Sequence, residues 1–198
     1  MEKICFATHN ANKLKEVRQL FQEAGLPFLL VSLDDIGCTE DIAETAETLE
    51  GNAMLKARHI WTHYHMPVFA DDTGLEVKAL QGAPGVYSAR YAGPQKSDSD
   101  NVKKLLEALR GIENRQARFR TCIAFIDTDG QEHLFEGIVE GHITHMPRGT
   151  QGFGYDPVFC PAGDTRTFAE MPLDEKNKIS HRARAFQAFC RWLRSQVS

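Results

Sequence analysis

No stretch of this chain approaches the roughly 20 consecutive apolar residues that a membrane-spanning helix needs. Its first ten residues, MEKICFATHN, hold one lysine and too short an apolar run for a secretory leader. Both absences lead to the expectation of a cytoplasmic protein with no membrane partner. Cysteine occurs five times, at Cys5, Cys38, Cys122, Cys160 and Cys190, but never as a CxxC pair. That scatter argues against a disulfide framework or a zinc site and for reduced, structural thiols. A surplus of positive charge is missing too. Against 27 Asp and Glu stand 23 Lys and Arg, a formal net charge of -4, so no basic field argues for nucleic acid as a partner. Any anion site has to be local. The GxGxxG fingerprint and the GxxxxGK[ST] loop are both absent, which removes the two common nucleotide cradles. Repeats, low-complexity tracts and linkers are lacking, so residues 1–198 are expected to form a single domain.

What the chain does contain is an ordinary globular mixture, 42% hydrophobic and 25% charged, arranged as alternating strand and helix signals. KICFAT predicts a short buried strand. NANKLKEVRQLFQEAG then changes to helical period, with Leu14, Val17, Leu20, Phe21 and Ala24 on one face and Gly25 as the cap. FLLVSL predicts the next strand, completing the strand, helix, strand opening usual in α/β sheets. An acidic loop, DDIGCTEDIAETAE, leads to a second helix from about Thr48 to His63, with Leu49, Ala53, Ala57, Ile60 and Trp61 sharing a stripe. PVFA predicts a strand that ends at Asp71 and Asp72. QGAPGVYSARYAG reads as a loop with a short helix near Gly85 to Tyr91. SDSDNVKKLLEALRG predicts a helix from a Ser or Asp cap to Gly111, with Val102, Leu105, Leu106 and Leu109 on one side. Alternation on both sides of DTDG predicts a hairpin with Asp129 and Gly130 in its turn. A last helix is expected from about Ser180, apolar at Ala183, Phe186, Phe189, Cys190, Leu193 and Val197.

Four stretches carry residue types with chemical uses. THNANK, Thr8 to Lys13, stands where the first strand gives way to the first helix, a place that gathers N–H donors and a positive dipole end and so suits a phosphate. Lys13 and Lys15 are mildly disfavoured there, by some tenths of a kcal/mol, unless an anion is near. A solvated lysine beside an asparagine cap fits the position equally well. SHRARAF puts His181 and Arg182 at another helix start, beside Lys176 and Lys178, and both an anion facing them and extension into water stay open. GFGYDP joins glycines that let the backbone approach a ligand to Phe153 and Tyr155, faces on which a base can stack for roughly 1 to 3 kcal/mol, with Asp156 as an acceptor. Aromatic plugs over a core look the same. FADDTGLEV presents Asp71 and Asp72 either as a turn capping its own backbone or as a Mg2+ site, with Glu44 or Asp41 as the second carboxylate.

Taken in order, FATHNANKLKEV, FADDTGLEVKALQGAPGVYSARYAG, GFGYDPVF and EKNKISHRARAF resemble the inosine triphosphate pyrophosphatase family, hydrolases of noncanonical purine nucleoside triphosphates. The likeness runs from about Lys3 to Leu193. It implies an α/β fold, an elongated mixed β-sheet with flanking helices and two lobes around a central nucleotide-binding cleft. It also implies Mg2+ dependence and a homodimer. Residue by residue, it places Thr8, His9, Asn10, Ala11, Asn12 and Lys13 around the triphosphate, with Lys56 a further phosphate contact. Asp72 matches the general base and metal partner and Thr73 a substrate contact, while Glu44, next to the position where the family is usually acidic, is taken as the second metal carboxylate. Phe153, Gly154, Tyr155 and Asp156 match the residues that hold base and sugar, and Lys176, His181 and Arg182 those that line the base pocket. Two positions depart from the pattern. His9 stands where glycine is frequent, and IAETA stands where many relatives read like IEETG, leaving Ala43 at a usual acidic position.

The reaction so implied is attack of water on the α-phosphorus of ITP, dITP or XTP, releasing the monophosphate and pyrophosphate. Asp72 orients or deprotonates the water, Lys13 and Lys56 neutralise developing charge, and Arg182 and His181 face the 6-oxo group as donors. The alternative enzyme is a house-cleaning pyrophosphatase for modified pyrimidine nucleotides. A nucleotide sensor without catalysis is the alternative outside that class, and the presence of Asp72 and Lys13 argues against it.

Overall fold

The structure, a computed structural model, describes residues 1–196; Val197, expected on the apolar face of the last helix, lies outside the described residues. In chain order the elements are β1 (Glu2–Phe6), α1 (Ala11–Ala24), β2 (Phe28–Ser32), α2 (Leu49–Tyr64), β3 (Val68–Val77), β4 (Pro84–Gly85), α3 (Asp98–Ala108), β5 (Gln116–Ile126), β6 (Glu132–Ile143), β7 (Phe159–Pro161), α4 (Leu173–Ile179) and α5 (His181–Gln196). The fold is mixed α/β. Its seven strands form one sheet in the order β2-β1-β3-β5-β6-β7, with β4 on β3. No helix among the described residues is long and apolar enough to cross a membrane.

The chain divides into two compact units, Met1–Asp72 with Thr121–Gly137 and Arg182 onward, and Thr73–Arg120 with Ile138–His181. In the first, β1 pairs in parallel with both β2 and β3, Cys5 opposite Val31 and Val68, which is the outcome expected of the strand, helix, strand opening. Asn10 caps α1 through its side chain, and Gly25 closes it at φ 58, a left-handed conformation that glycine adopts without a Cβ penalty. Because successive side chains on a strand leave on opposite faces, this sheet buries two cores. Ile4, Phe6, Phe69, Ile123 and Phe125 meet α1 and α5 through Val17, Leu20, Phe186 and Phe189. Cys5, Ala7, Val68, Ala70, Ala124 and Ile126 meet α2 through Ala53, Ala57 and Ile60.

The second unit has its own core, in which Leu75, Val102, Leu105, Phe119, Ile143, Phe159 and Phe168 pack together. Within it β3 pairs antiparallel with β4, Leu75 opposite Gly85, and β6 with β7, Ile143 opposite Phe159.

Two expectations are corrected. The strand expected to end at the aspartates runs on as β3 to Val77, because β4 pairs with it there and Leu75 and Val77 are buried in the second core. The short helix near Gly85 is a 3-10 turn over Ser88–Arg90, since Pro84 and Gly85 are taken up as strand β4. Two elements went unread: β7 and α4 span three and seven residues, too few to show a period. Ser180, read as an N-cap, directly precedes α5 in an extended conformation and also closes α4, donating its N–H to the Lys176 carbonyl at 2.8 Å.

Candidate functional site

The first unit gathers one group of the expected residues. Adjacent positions on β3 face opposite sides of the sheet, so Asp71 shares the side of Phe69 with α1 and α5, whereas Asp72 shares that of Ala70 with α2. The partners bear this out. Asp71, 1% exposed, accepts from Lys13 Nζ of α1 at 3.1 Å and from Arg182 Nε of α5 at 2.8 Å. Arg182 in turn donates from Nη1 to Glu16 Oε2 of α1 at 2.5 Å. On the other side Lys56 of α2 donates to the Asp71 carbonyl at 2.5 Å and lies 3.4 Å from Glu44 Oε1. Burial opposes charge on Asp71, but Lys13, Arg182 and Lys56 together hold it well below the usual carboxylate range. Asp72 goes the other way. Burial, helped by the nearby Glu44 and Asp71 carboxylates, pushes it up to about 6 against the pull of Lys56 and Lys13.

The turn from β1 into α1 is built by local hydrogen bonds. The Asn10 side chain accepts from the backbones of Asn12 at 3.0 Å and Lys13 at 3.1 Å, and Thr8 Oγ1 accepts from Asn10 N at 3.1 Å. Two of the helix's four unpaired N–H groups are thereby satisfied before any ligand arrives. His9, the departure from the family pattern, donates from Nε2 to the Glu40 carbonyl at 2.8 Å and so ties this turn to the acidic segment. Burial alternates along that segment: Asp41 and Ala43 are exposed while Ile42 and Glu44 are half-buried. Glu44, rather than Asp41, is therefore the carboxylate brought to Lys56. Its approach depends on Gly51, where a Cβ would lie 2.7 Å from Ala46 Cβ.

The second unit gathers the rest. The loop Gly152–Asp156 is held by its own acid: Asp156 Oδ2 accepts from Phe153 N at 3.0 Å and from Lys176 Nζ at 2.7 Å. Gly152, at φ 71, lies against that carboxylate, so a side chain there would collide with it. Lys176, 2% exposed, sits 4.9 Å over the Phe153 ring, an arrangement that favours a buried cation. Gly154 N donates to Asp98 Oδ2 at 2.8 Å, and Tyr155 Oη donates to the Ser88 carbonyl at 2.6 Å. His181 stacks on Phe119 with ring centroids 4.5 Å apart. Thr73, half-buried, opens this unit's part of β3.

Chemically, the first group supplies two lysines and, beside them, the Asp72 carboxylate pushed up by burial; the second supplies aromatic faces with a buried Lys and Asp. Arg182 meets carboxylates of its own chain where the sequence reading has it facing a base. The cations that looked misplaced at helix starts have internal anions: Asp71 for Lys13, Asp71 and Glu16 for Arg182. Sequence reading missed Glu16, Asp98 and Phe119. Only Glu16 left a signal, an acidic residue on the same stripe of α1 as Val17 and Leu20. A further trio, Glu50, Cys122 and Glu136, has ligand atoms within 4.8 Å of one another and shares no member with the expected metal pair.

The Ham1 family model matches residues 4–192. The chain is 52% identical over 191 residues to the dITP/XTP pyrophosphatase of Christiangramia forsetii, covering 96% of this chain and 98% of that one. It is 56% identical over 186 residues to the dITP/XTP pyrophosphatase of Porphyromonas gingivalis, covering 93% and 94%. The Ham1 protein of Staphylococcus aureus has the same fold, with a TM-score of 0.88 at 35% identity over 98% of this chain and 100% of that one. Matched along nearly its whole length in both sequence and fold, the chain belongs to the Ham1 family.

Proposed function

We propose that this protein hydrolyses noncanonical purine nucleoside triphosphates, ITP, dITP and XTP, to the monophosphate and pyrophosphate, and so removes them from the nucleotide pool. The observation that carries this reading is the arrangement at β3. Asp71 is saturated by cations and anchors Lys13 and Lys56, while its neighbour Asp72 is turned to the other face beside them. A triphosphate needs cations, and hydrolysis at phosphorus needs a base. Names of the relatives, which specify dITP and XTP, support purine substrates over modified pyrimidines.

In this reading Lys13 and Lys56 hold the triphosphate and stabilise the charge that builds on the leaving pyrophosphate. Asp72 accepts a proton as the water oxygen bonds to the α-phosphorus, and the bridging oxygen departs with the electron pair of the broken P–O bond. The family resemblance gives Phe153 and Tyr155 to the base and sugar, and Lys176 and His181 to recognition of the base. Arg182 contributes through Asp71.

The donor set fits Mg2+. Glu44 and Asp72 are hard oxygen ligands whose mutual repulsion a divalent ion would relieve, and they would hold it. When bound, the ion would supply charge neutralisation on the phosphate oxygens. The same reading takes the protein as a cytoplasmic homodimer, for which light scattering should give twice the 22.3 kDa chain mass.

The test is to incubate the protein with Mg2+ and ITP, XTP, dITP, ATP or GTP and to measure pyrophosphate and orthophosphate separately. Pyrophosphate should appear with ITP, XTP and dITP far faster than with ATP. Orthophosphate as the first product would exclude attack at the α-phosphorus.

A further inference from the structure

We propose that Glu16, which nothing above assigns to the reaction, is a positioning residue that sets Lys13 through Arg182 and Asp71. The inference rests on the triphosphate hydrolysis proposed above. Glu16 and Lys13 lie three apart on α1, close enough to pair directly. A second connection between them runs through Arg182 and Asp71. Arg182 donates from Nη1 to Glu16 Oε2 at 2.5 Å and from Nε to Asp71 Oδ2 at 2.8 Å, and Lys13 Nζ donates to Asp71 Oδ1 at 3.1 Å. The four charges alternate in sign and sum to zero.

Three members are almost sealed, with side chains 3%, 2% and 2% exposed for Glu16, Arg182 and Asp71, whereas that of Lys13 is 14% exposed. The series therefore runs from the interior to one end that can reach a ligand. Buried ion pairs are a weak source of stability compared with apolar packing, and this one stands beside an aromatic core where Phe69 and Phe186 pack. What the series does supply is a fixed address for Asp71. That residue is the hub of the site, since its carboxylate holds Lys13 and its carbonyl holds Lys56. Without the charge on Glu16, Arg182 has a stronger hold on Asp71, and the share of Asp71 that orients Lys13 is drawn away.

The experiment compares wild type, Glu16→Gln, Lys13→Met and the double variant, measuring kcat and KM for ITP with Mg2+ and the thermal midpoint of each. Glu16→Gln should lower kcat on the order of tenfold to a hundredfold, the scale expected when a group is displaced by about 1 Å. KM should move much less, and the protein should remain folded at the assay temperature. In the Lys13→Met background the same change should lower kcat by less than twofold. A merely structural Glu16 would lower both backgrounds alike. Should Glu16→Gln unfold, Glu16→Asp, which keeps the charge on a shorter arm, carries the same comparison. Wild-type kcat in Glu16→Gln, or an equal loss in both backgrounds, would overturn the proposal. A wild-type protein that turns over no triphosphate would instead remove the functional reading on which it rests.

Discussion

Asp71 and Asp72 are neighbours in sequence and opposites in role, because a strand sends consecutive side chains to opposite faces. Asp71→Asn leaves the buried Arg182 and Lys13 short of an anion, which should destabilise the fold by about 3–5 kcal/mol in a denaturant titration. Asp72→Asn removes a carboxylate that the fold holds in an unfavourable, buried setting, so stability should hold or rise. Turnover of ITP by Asp72→Asn should nevertheless fall by about 10² to 10⁴, the range for losing a general base. Near-wild-type turnover would remove Asp72 from that role. The cysteines are legible at this scale too. All five are buried, and burial pushes Cys5 up to about 12 and Cys190 up to about 11. Native protein should react slowly with a thiol reagent at neutral pH and rapidly once unfolded, whereas prompt native labelling would contradict the burial.

At the scale of elements, the sequence was readable wherever a period ran for several turns. Apolar spacing and end signals located α1, α2, α3 and α5 to within a few residues. Thr48, which bounded the expected second helix, is its N-cap, accepting from Gly51 N at 3.0 Å. Short elements were not readable, since three residues of β7 and seven of α4 carry no period. The acidic segment is a different case. It reads only as an acidic loop in the sequence, and which of its residues turn inward depends on α2, where Gly51 admits Ala46. Gly51→Ala puts a methyl group into that contact and should shift the segment that carries Glu44. The Mg2+ concentration for half-maximal rate should then rise severalfold. An unchanged Mg2+ titration would separate Glu44 from metal binding.

For the molecule as a whole, apolar packing in the cores is the main source of stability. Phe189 is fully buried, with ring centroids 4.9 Å from Phe125 and 5.1 Å from Phe69. Phe189→Ala should lower unfolding free energy by about 3–5 kcal/mol, the usual range for emptying an aromatic core position. Chelating Mg2+ should do the reverse, stopping turnover while the thermal midpoint stays nearly constant, because none of the three apolar cores includes Glu44 or Asp72. A large fall in the midpoint on chelation would mean that the ion also holds the fold.

The sequence by itself determined the family resemblance, the order of the main elements and the residue types of the site, because motifs and periods are local properties of a chain. Only the tertiary structure decided partnership. Arg182 lies 111 residues from Asp71 and 166 from Glu16, and a contact at that separation exists only once α1, β3 and α5 have packed on one face of the sheet. It also decided that β3 runs through the aspartates, since strand continuation depends on neighbours that a linear reading does not supply. From that continuation follows the division of labour between two adjacent carboxylates, one buried among cations and one turned toward Glu44 and Lys56.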